Sequence, residues 1–181
     1  MTRCFWCNQK NPLYVKYHDE EWGRQRFDDK YLFEMLLLES FQAGLSWECV
    51  LNKREAFREA LDGFDVHTVA AYSTEKIDML CQNTDIIRNR RKIEATVKNA
   101  AVFISIVSEF GSFFDYLKEF WDGKIIFDSQ ACSSPLSDLI SKDLKKRGMS
   151  FMGSTTVHSF LQAIGIVNAH TEECFLYNME L

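Results

Sequence analysis

The strongest constraint on the fold is segment 31–57, which reads YLFEMLLLESFQAGLSWECVLNKREAF. Six of the seven residues at 32–38 are apolar, so the segment predicts a helix over 31–39 that is buried around most of its circumference. Asp28 and Asp29 are suited to cap its start. Glu39 ends the apolar run, and a buried carboxylate is costly unless something pairs with it. A folding account of this helix therefore needs a partner for Glu39.

The residues after Glu39 suggest where that carboxylate lies. Residues 40–47 include a glycine and Trp47, and a second amphipathic helix is predicted over 47–61. A helix end, a tight turn and an aromatic residue thus converge, which is how a polar group is placed at the floor of an apolar pocket. The alternative is an exposed or capped Glu39 with Trp47 as an ordinary core residue, and this segment alone leaves it open.

The whole chain favours an all-α fold. Its 181 residues include 15 Phe and only two Pro, with no sustained polar–apolar alternation. Further helices are predicted over 66–72, 74–82, 90–109, 113–121, 138–147 and 155–164, with Ser137 and Ser154 as caps and a loop over 122–136. The first 23 residues are expected to form an irregular arm. We predict one domain, 1–181, in which an arm (1–27) packs with the C-terminal segment (165–181) beside a helical core (28–164).

The sequence shows no targeting signal, which predicts a cytosolic protein. No run of about 18 apolar residues is present, and the N-terminus does not resemble a signal peptide. The six cysteines are therefore expected to be thiols or metal ligands rather than disulfides. A net charge of -5 argues weakly against non-specific coating of nucleic acid, although local charge matters more than the sum.

Four residues near the chain ends suggest a metal site. His170 and Cys174 have the four-residue spacing common to pairs of zinc ligands, and Cys4 and His18 could complete a tetrahedral shell. Such a closed shell leaves no position for an activated water, so the zinc would be structural. Cys7 competes with Cys4, because the two form a CxxC motif. Unrelated packing roles for all these residues remain the alternative.

A basic segment precedes the long helix predicted over 90–109. Residues 88–92, RNRRK, carry four positive charges. A helix N-terminus favours anions, so cations placed there are better explained if they face phosphates. A second cluster, around residues 142–147, lies at a helix C-terminus, where cations are favourable anyway. Two local patches on an acidic protein predict modest, salt-sensitive binding to a few phosphates.

Five motifs in order carry a family resemblance. MTRCFW, YHDEEWG, LFEMLLLESFQAGLSWECVLNKREAF, IIRNRRKI and LKKRGMSFMGSTTVHSFLQAIGIVNAHTEEC, which together span nearly the whole chain, resemble the bacterial 3-methyladenine DNA glycosylase I family of the helix-hairpin-helix superfamily. The resemblance implies a helix-hairpin-helix glycosylase fold. It also implies a base-excision repair enzyme that flips 3-methyladenine out of duplex DNA and hydrolyses its N-glycosidic bond.

The resemblance also assigns roles to residues. One structural zinc and no organic cofactor are implied, with the chain ends joined by the ligands Cys4, His18, His170 and Cys174. The base pocket is implied to contain the catalytic Glu39 with Tyr17, Trp47 and Trp6. The DNA-binding residues implied are Gly44 and Leu45, which match the segment entering the gap in the DNA, and the hairpin's Arg88, Arg90, Arg91 and Lys92.

Three departures from the family pattern concern the hairpin and the arm. Asp85 and Arg91 stand where smaller residues are usual, so Arg88, Arg90 and Arg91 are expected to compensate for weaker backbone contacts to phosphate. The arm is one residue longer between Cys4 and His18, which keeps the choice between Cys4 and Cys7 open. Duplex DNA containing alkylated bases is the expected partner of a monomeric, bacterial, cytoplasmic enzyme that binds no membrane.

The chemistry expected at the pocket is recognition more than activation. Methylation at N3 gives adenine a positive charge and weakens its bond to the sugar, so the base leaves readily. Trp47 and Tyr17 offer π-faces to that cation, and Glu39 offers a carboxylate. No Schiff-base lysine is assigned, so a monofunctional glycosylase is expected. A zinc hydrolase would need an open metal position and an HExxH-like base, which are absent; a non-catalytic DNA-binding protein would not need Glu39.

Overall fold

The computed structural model describes residues 1–177 and 179, and these residues are mostly helical. One short 3-10 turn, Asp62–Phe64, follows α4. The helices are α1 (Pro12–Glu20), α2 (Asp29–Gln42), α3 (Trp47–Leu51), α4 (Arg54–Ala60), α5 (Val66–Ala70), α6 (Thr74–Gln82), α7 (Arg90–Phe110), α8 (Phe113–Lys118), α9 (Pro135–Arg147) and α10 (Ser154–Ala163).

Helix α2 lies at the centre of the molecule. Every residue from Tyr31 to Phe41 is buried, as the apolar run predicted, and the Asp28 side chain caps the helix by accepting a hydrogen bond from the Tyr31 amide at 3.0 Å. Helices α3, α7, α8 and α10 all pack against α2. The helix continues to Gln42, three residues beyond the predicted end. Glu39 therefore lies inside the last turn of a fully surrounded helix.

The segment that follows α10 packs against the arm and against the loop that follows α8. After α10, Gly165 has a φ of +78°, and a Cβ there would come within 2.6 Å of the Arg24 carbonyl carbon and the Gln25 amide nitrogen. Only glycine permits this close approach. The strands β1 (Ile126–Phe127) and β2 (Val167–Asn168) then pair in parallel. The loop after α8, predicted as irregular, is fixed to the C-terminal segment in this way.

The arm differs from its prediction. It contains α1, which the Asn11 side chain caps by accepting from the Leu13 amide and which begins with Pro12. An Asn–Pro start is a recognised helix signal, and the density of aromatic residues in the arm obscured it. One face of α1 buries Tyr14, Tyr17 and His18. The arm is thus a rigid support for residues predicted to be functional.

Several smaller boundaries also differ. The helix predicted over 47–61 is interrupted at Asn52–Lys53 and forms α3 and α4. Ser134, not Ser137, caps α9; Ser137 completes a capping box, and Pro135 occupies the first turn. Gly153 precedes α10, where Ser154 was predicted as the cap. Among the described residues, no helix is long and apolar enough to span a membrane.

Candidate active site and metal centre

The four predicted metal ligands converge. One ligand atom from each of Cys4, His18, His170 and Cys174 lies within 4.8 Å of the others, and all four residues are buried. The Cys4 Sγ is 3.4 Å from His170 Nδ1, and the Cys174 Sγ is 3.5 Å from both His170 Nδ1 and His18 Nε2. Zn–S bonds of about 2.3 Å and Zn–N bonds of about 2.0 Å in a tetrahedron separate sulfur and nitrogen by roughly 3.5 Å. The donor set therefore fits a tetrahedral metal ion.

Neighbouring groups hold these ligands in place. The Thr171 amide donates to Cys4 Sγ at 3.4 Å, and the Leu176 amide approaches Cys174 Sγ at 3.5 Å. The His18 Nδ1 lies 2.8 Å from the Asp19 carboxylate, which also binds Arg3 at 2.7 Å. A carboxylate behind a ligating histidine fixes the ring's tautomer and orientation. The cluster thus has the outer support typical of metal sites.

Of the two cysteines of the CxxC motif, Cys4 lies in this cluster and Cys7 does not. Cys7 is also buried, but its Sγ points away from the cluster and donates to the Tyr14 carbonyl at 3.7 Å. Its amide instead donates to the Cys4 carbonyl at 3.0 Å and closes the turn that presents Cys4. The CxxC motif therefore supplies one donor and one turn residue.

Two tryptophans connect this cluster with a cavity beside it. Trp22 stacks edge-on against His170 with ring centroids 4.7 Å apart, and Trp6 lies 5.3 Å from the His18 ring. The two indoles also contact each other at 4.6 Å. Their other sides line the cavity, so the geometry of the metal ligands and the shape of the cavity depend on each other.

The cavity has the size and lining of a site for one flat ring. Its volume is about 190 Å³, below the roughly 300–1,000 Å³ typical of drug-sized ligands. The predicted residues Tyr17, Glu39, Trp47 and Trp6 all border it, so α1, α2, α3 and the arm each contribute. The Tyr17 and Trp47 rings lie 5.2 Å apart at an angle of 42°. The aromatic residues form walls, and the carboxylate lies among them.

Three polar atoms of this cavity have no hydrogen-bond partner within the described part of the chain. They are the Tyr17 hydroxyl, Glu39 Oε2 and Trp47 Nε1, all fully buried. Buried polar groups in proteins are nearly always paired, so an unpaired group needs an explanation. Three such atoms around one cavity are best explained by a ligand that supplies the missing partners.

The charge state of Glu39 follows from its burial. Desolvation alone raises the pKa of Glu39 to about 8, because no cation among the described residues lies near enough to offset it. Without a bound cation, the Glu39 carboxyl is therefore largely protonated at neutral pH. A cationic ligand would reverse this, since a positive charge close to the group favours its ionised form.

Five further lining residues were missed in the sequence: Tyr14, Trp22, Gln42, Ser159 and Gln162. Helical spacing could have identified some of them. Gln42 follows Glu39 by three residues on α2, and Ser159 and Gln162 have the same spacing on α10. A second cavity shares Glu39, Gln42 and Ser159 and continues to Gly44 and Leu45. Glu39 thus lies between the aromatic cavity and the turn that follows α2.

The turn between α2 and α3 is exposed. Gly44 has a φ of +83° with open space around it, and the Leu45 side chain is 43% exposed. The Lys92 ammonium group fixes this turn by donating to the Phe41 carbonyl at 2.8 Å and the Ala43 carbonyl at 2.7 Å. A cation is favourable at these carbonyls, since they form the negative end of α2.

The structure therefore separates Lys92 from the other hairpin cations. Lys92 was predicted to face DNA on the surface. It is instead buried, and its ammonium group donates both of its hydrogen bonds to carbonyls inside the protein. Arg88, Arg90 and Arg91 are exposed. Arg90 forms ion pairs with Asp78 and Glu94, which reduces its free charge. Asp85 is also exposed, and its carbonyl accepts from Lys53 at 2.8 Å.

Together these features define a class of protein: a helical protein with a buried aromatic–carboxylate pocket beside an exposed turn and a cationic helix–turn–helix segment. A family model described as Methyladenine glycosylase matches residues 6–177. The chain belongs to the methyladenine glycosylase family.

Individual relatives agree with this family. A DNA-3-methyladenine glycosylase of Haemophilus influenzae is 41% identical, and the match covers 96% of each chain. A crystal structure of 3-methyladenine DNA glycosylase I superposes with a TM-score of 0.92 at 43% identity, covering 97% of this chain and all of the other. The Staphylococcus aureus 3-methyladenine DNA glycosylase I, solved to explain its recognition of 3-methyladenine, has a TM-score of 0.90 at 36% identity, covering 96% and 97%.

Proposed function

We propose that this protein is a DNA repair glycosylase that hydrolyses the N-glycosidic bond of 3-methyladenine in alkylated duplex DNA. One observation carries the proposal: the unpaired, buried carboxyl group of Glu39 lies in a base-sized cavity whose walls include Tyr17 and Trp47. The base must leave the duplex to reach this cavity, so the enzyme acts by base flipping. The family and its relatives support the same activity.

The pocket selects a methylated base by its charge. The rings of Tyr17 and Trp47 attract a cation over their faces, an interaction worth about 2 kcal/mol when desolvated. Glu39 offers a negative charge to the same base once it is ionised. Unmodified adenine is neutral and gains little from either interaction, whereas N3-methylation makes the nucleobase cationic. Glu39 and the rings therefore act together as the recognition group.

Hydrolysis then needs little activation of the leaving group. Water attacks C1′ of the sugar as the bond to the base breaks, and the bonding electrons neutralise the base, which departs as uncharged 3-methyladenine. The water proton passes to solvent, and DNA phosphates stabilise the oxocarbenium-like transition state. No lysine borders the cavity among the described residues, so a Schiff base and strand cleavage are not expected.

The exposed surface near the pocket is proposed to bind DNA. Gly44 and Leu45 are proposed to enter the gap left by the flipped base, since their turn adjoins the cavity containing Glu39. Arg88 and Arg91 are proposed to bind backbone phosphates, with a smaller share for the ion-paired Arg90. Lys92 supports the turn from below rather than meeting phosphate.

We further propose that the metal ion is a structural Zn²⁺. Two thiolates and two imidazoles are the ligand set zinc prefers, and four protein donors close the shell. The ion would tie the arm to the C-terminal segment and hold the tryptophans that border the pocket. We also infer a single glycosylase domain over 1–181, supported by one hydrophobic core that extends from Cys4 to Leu176, acting as a cytoplasmic bacterial monomer.

Base release from methylated duplex DNA tests the function directly. Purified native protein should release 3-methyladenine and leave an abasic strand intact until it is cleaved by alkali, with one zinc per chain in the same sample. Glu39→Gln, which keeps the shape but not the charge, should lower kcat/KM about 100-fold or more, as removal of a charged transition-state contact does. Equal release by the two proteins would refute the role of Glu39.

The pH profile provides an independent check of that role. Recognition of a cation requires ionised Glu39, and kcat/KM reports the pKa of the free enzyme. Native kcat/KM should rise with pH, reach half its maximum near pH 8, where Glu39 titrates, and level off above that pH. The residual activity of Glu39→Gln should lack this rise. A native profile that is flat between pH 6 and 8 would show that the titration of Glu39 does not govern recognition.

A further inference from the structure

The loop between α9 and α10 holds an aromatic residue in a strained conformation. Among the described residues, only Asp62, Phe64 and Phe151 are non-glycine residues with positive φ, at 50°, 57° and 58°. Such a φ is a steric outlier for a bulky side chain. Phe64 is 1% exposed, so core burial offsets its strain. Phe151 is 36% exposed, so burial of its ring in the core offsets much less of the same backbone strain.

The surrounding contacts impose this conformation on Phe151. The Asn99 side chain binds both backbone polar groups of the preceding residue, accepting from the Ser150 amide at 2.8 Å and donating to the Ser150 carbonyl at 3.0 Å. Met149 and Met152 anchor the loop in the core on either side. The Phe151 ring is thus held outward by a fixed backbone. Strain that the surrounding structure maintains is concentrated at functional sites.

The position of the ring continues the proposed DNA surface. The Lys92 ammonium group lies 5.9 Å from the centroid of the Phe151 ring and also holds the Ala43 carbonyl at 2.7 Å. The ring therefore lies close to the turn containing Gly44 and Leu45. Successive base pairs are about 3.4 Å apart. A ring this close to the Gly44–Leu45 turn would therefore meet the duplex within a few base pairs of the gap that Leu45 is proposed to enter.

The charges around the ring favour DNA over an acidic protein partner. Arg91 and Lys98 border the same cleft as Phe151, and neither has an ion-pair partner in the part of the chain that the structure describes. The one acid there, Glu94, is paired with Arg90. An apolar ring between free cations matches duplex DNA, which presents sugar and base edges between phosphates.

We propose that Phe151 is a further DNA-contacting residue, whose ring meets the duplex beside the point where Leu45 enters. The proposal rests on the proposed function, since it assumes that DNA covers this face. Phe151 would act on the duplex and not on the flipped base, because it does not border the aromatic cavity. Its contribution is then confined to substrates that retain a duplex.

Phe151→Asn separates contact from folding, because asparagine tolerates positive φ and removes the ring. Leu139→Asn is the matched control, since Leu139 is an exposed apolar residue outside the cleft. Affinity for duplex DNA with a stable abasic-site analogue, and kcat/KM for methylated duplex, should both fall about tenfold in Phe151→Asn, as aromatic–base contacts predict. Binding of free 3-methyladenine and Tm should not fall, and Phe151→Tyr should restore duplex affinity.

Salt dependence adds a second readout. Phe151→Asn should leave the slope of log affinity against log salt unchanged, whereas Arg91→Gln should reduce it by about one. Native-like duplex affinity in Phe151→Asn would overturn the inference, as would a parallel loss of Tm and free-base binding, which would indicate a folding role. If the native protein neither binds the abasic duplex nor releases base, the proposed function itself fails.

Discussion

Helix α2 contains two buried carboxylates in opposite environments. Glu34 is 6% exposed, and its Oε1 accepts from Arg54 Nε at 2.6 Å and from Arg58 at 2.7 Å. Glu39 is 4% exposed and forms no ion pair with any described residue. The same side chain, five positions later on the same helix, is thus left without the partners that the first one has.

The difference shows how this fold separates stability from function. Arginines on α4 satisfy the Glu34 carboxylate in the middle of α2, so that site is complete without a ligand. Beside Glu39, in the last turn, the place of the arginines is taken by a cavity, and a cationic ligand would supply the missing charge. An unpaired buried carboxyl group costs folding free energy, and that cost is retained where binding needs it.

The largest effect is expected for the stability of Glu39→Gln. In the unfolded chain the carboxyl ionises near its ordinary pKa of 4.5, whereas the folded protein keeps the proton until about pH 8. Stability is therefore lost as pH rises through this window, by at most about 5 kcal/mol at about 1.4 kcal/mol per pKa unit. Glu39→Gln should unfold like the native protein at pH 4.5 and be more stable at pH 8 in urea titrations.

Glu34→Gln is the matched control and should behave in the opposite way. Arg54 is only 7% exposed and would lose one of its two anionic partners, with Glu21 remaining. Breaking a buried ion pair costs about 3 kcal/mol. The folded variant should nevertheless release base like the native enzyme. The comparison fails if Glu39→Gln is destabilised at pH 8, or if Glu34→Gln loses activity while it is fully folded.

Metal removal should disturb the cavity that contains Glu39 and leave the ion pairs of Glu34 intact. A ligand present at 100 times its Kd or more stabilises a protein by at least about 2.7 kcal/mol, so chelation of a metal supplied at that excess should lower the stability by at least this amount. Trp6 and Trp22 contact His18 and His170, two of the proposed metal ligands, so tryptophan fluorescence and free-base binding should change with metal loss.

Two cysteine variants serve as controls for that experiment. Cys174→Ser should lose the metal, whereas Cys7→Ser should keep one metal ion per chain, because the Cys7 thiol points at the Tyr14 carbonyl. If Cys7→Ser lost the metal while Cys174→Ser kept it, the proposed assignment of the ligands would be wrong.

The sequence predicted the pocket residues better than their support. The apolar run at 32–38 was sufficient to identify α2, and the unusual position of Glu39 was visible within it. The family resemblance supplied the residues that meet in space from distant segments, such as Cys4 and His170, which spacing alone left open. Whether Glu39 had a partner was not predictable, because that depends on how α3, α4 and α10 pack around α2.

Lys92 shows why charge patterns alone misled. Residues 88–92 read as one basic patch, yet Lys92 begins the buried stripe of α7 that continues through Thr96, Asn99 and Phe103. The helical period indicates that Lys92 points inward, whereas Arg91 points outward. Counting charges treated the two residues as equivalent. What lies opposite the stripe, the carbonyls that end α2, is tertiary information.

The smallest effect is expected for Lys92→Met, which keeps the aliphatic stem and removes both bonds to α2. Without them, the turn containing Gly44 and Leu45 loses its fixed position, and kcat/KM for methylated duplex should fall about tenfold, or about 1.4 kcal/mol. Because this ammonium group does not face phosphate, the salt dependence of duplex binding should stay native. Arg91→Met should show the reverse, a shallower salt slope. An equal reduction of the salt slope in both variants would show that Lys92 contacts DNA phosphate, and would contradict its proposed role in fixing the turn after α2.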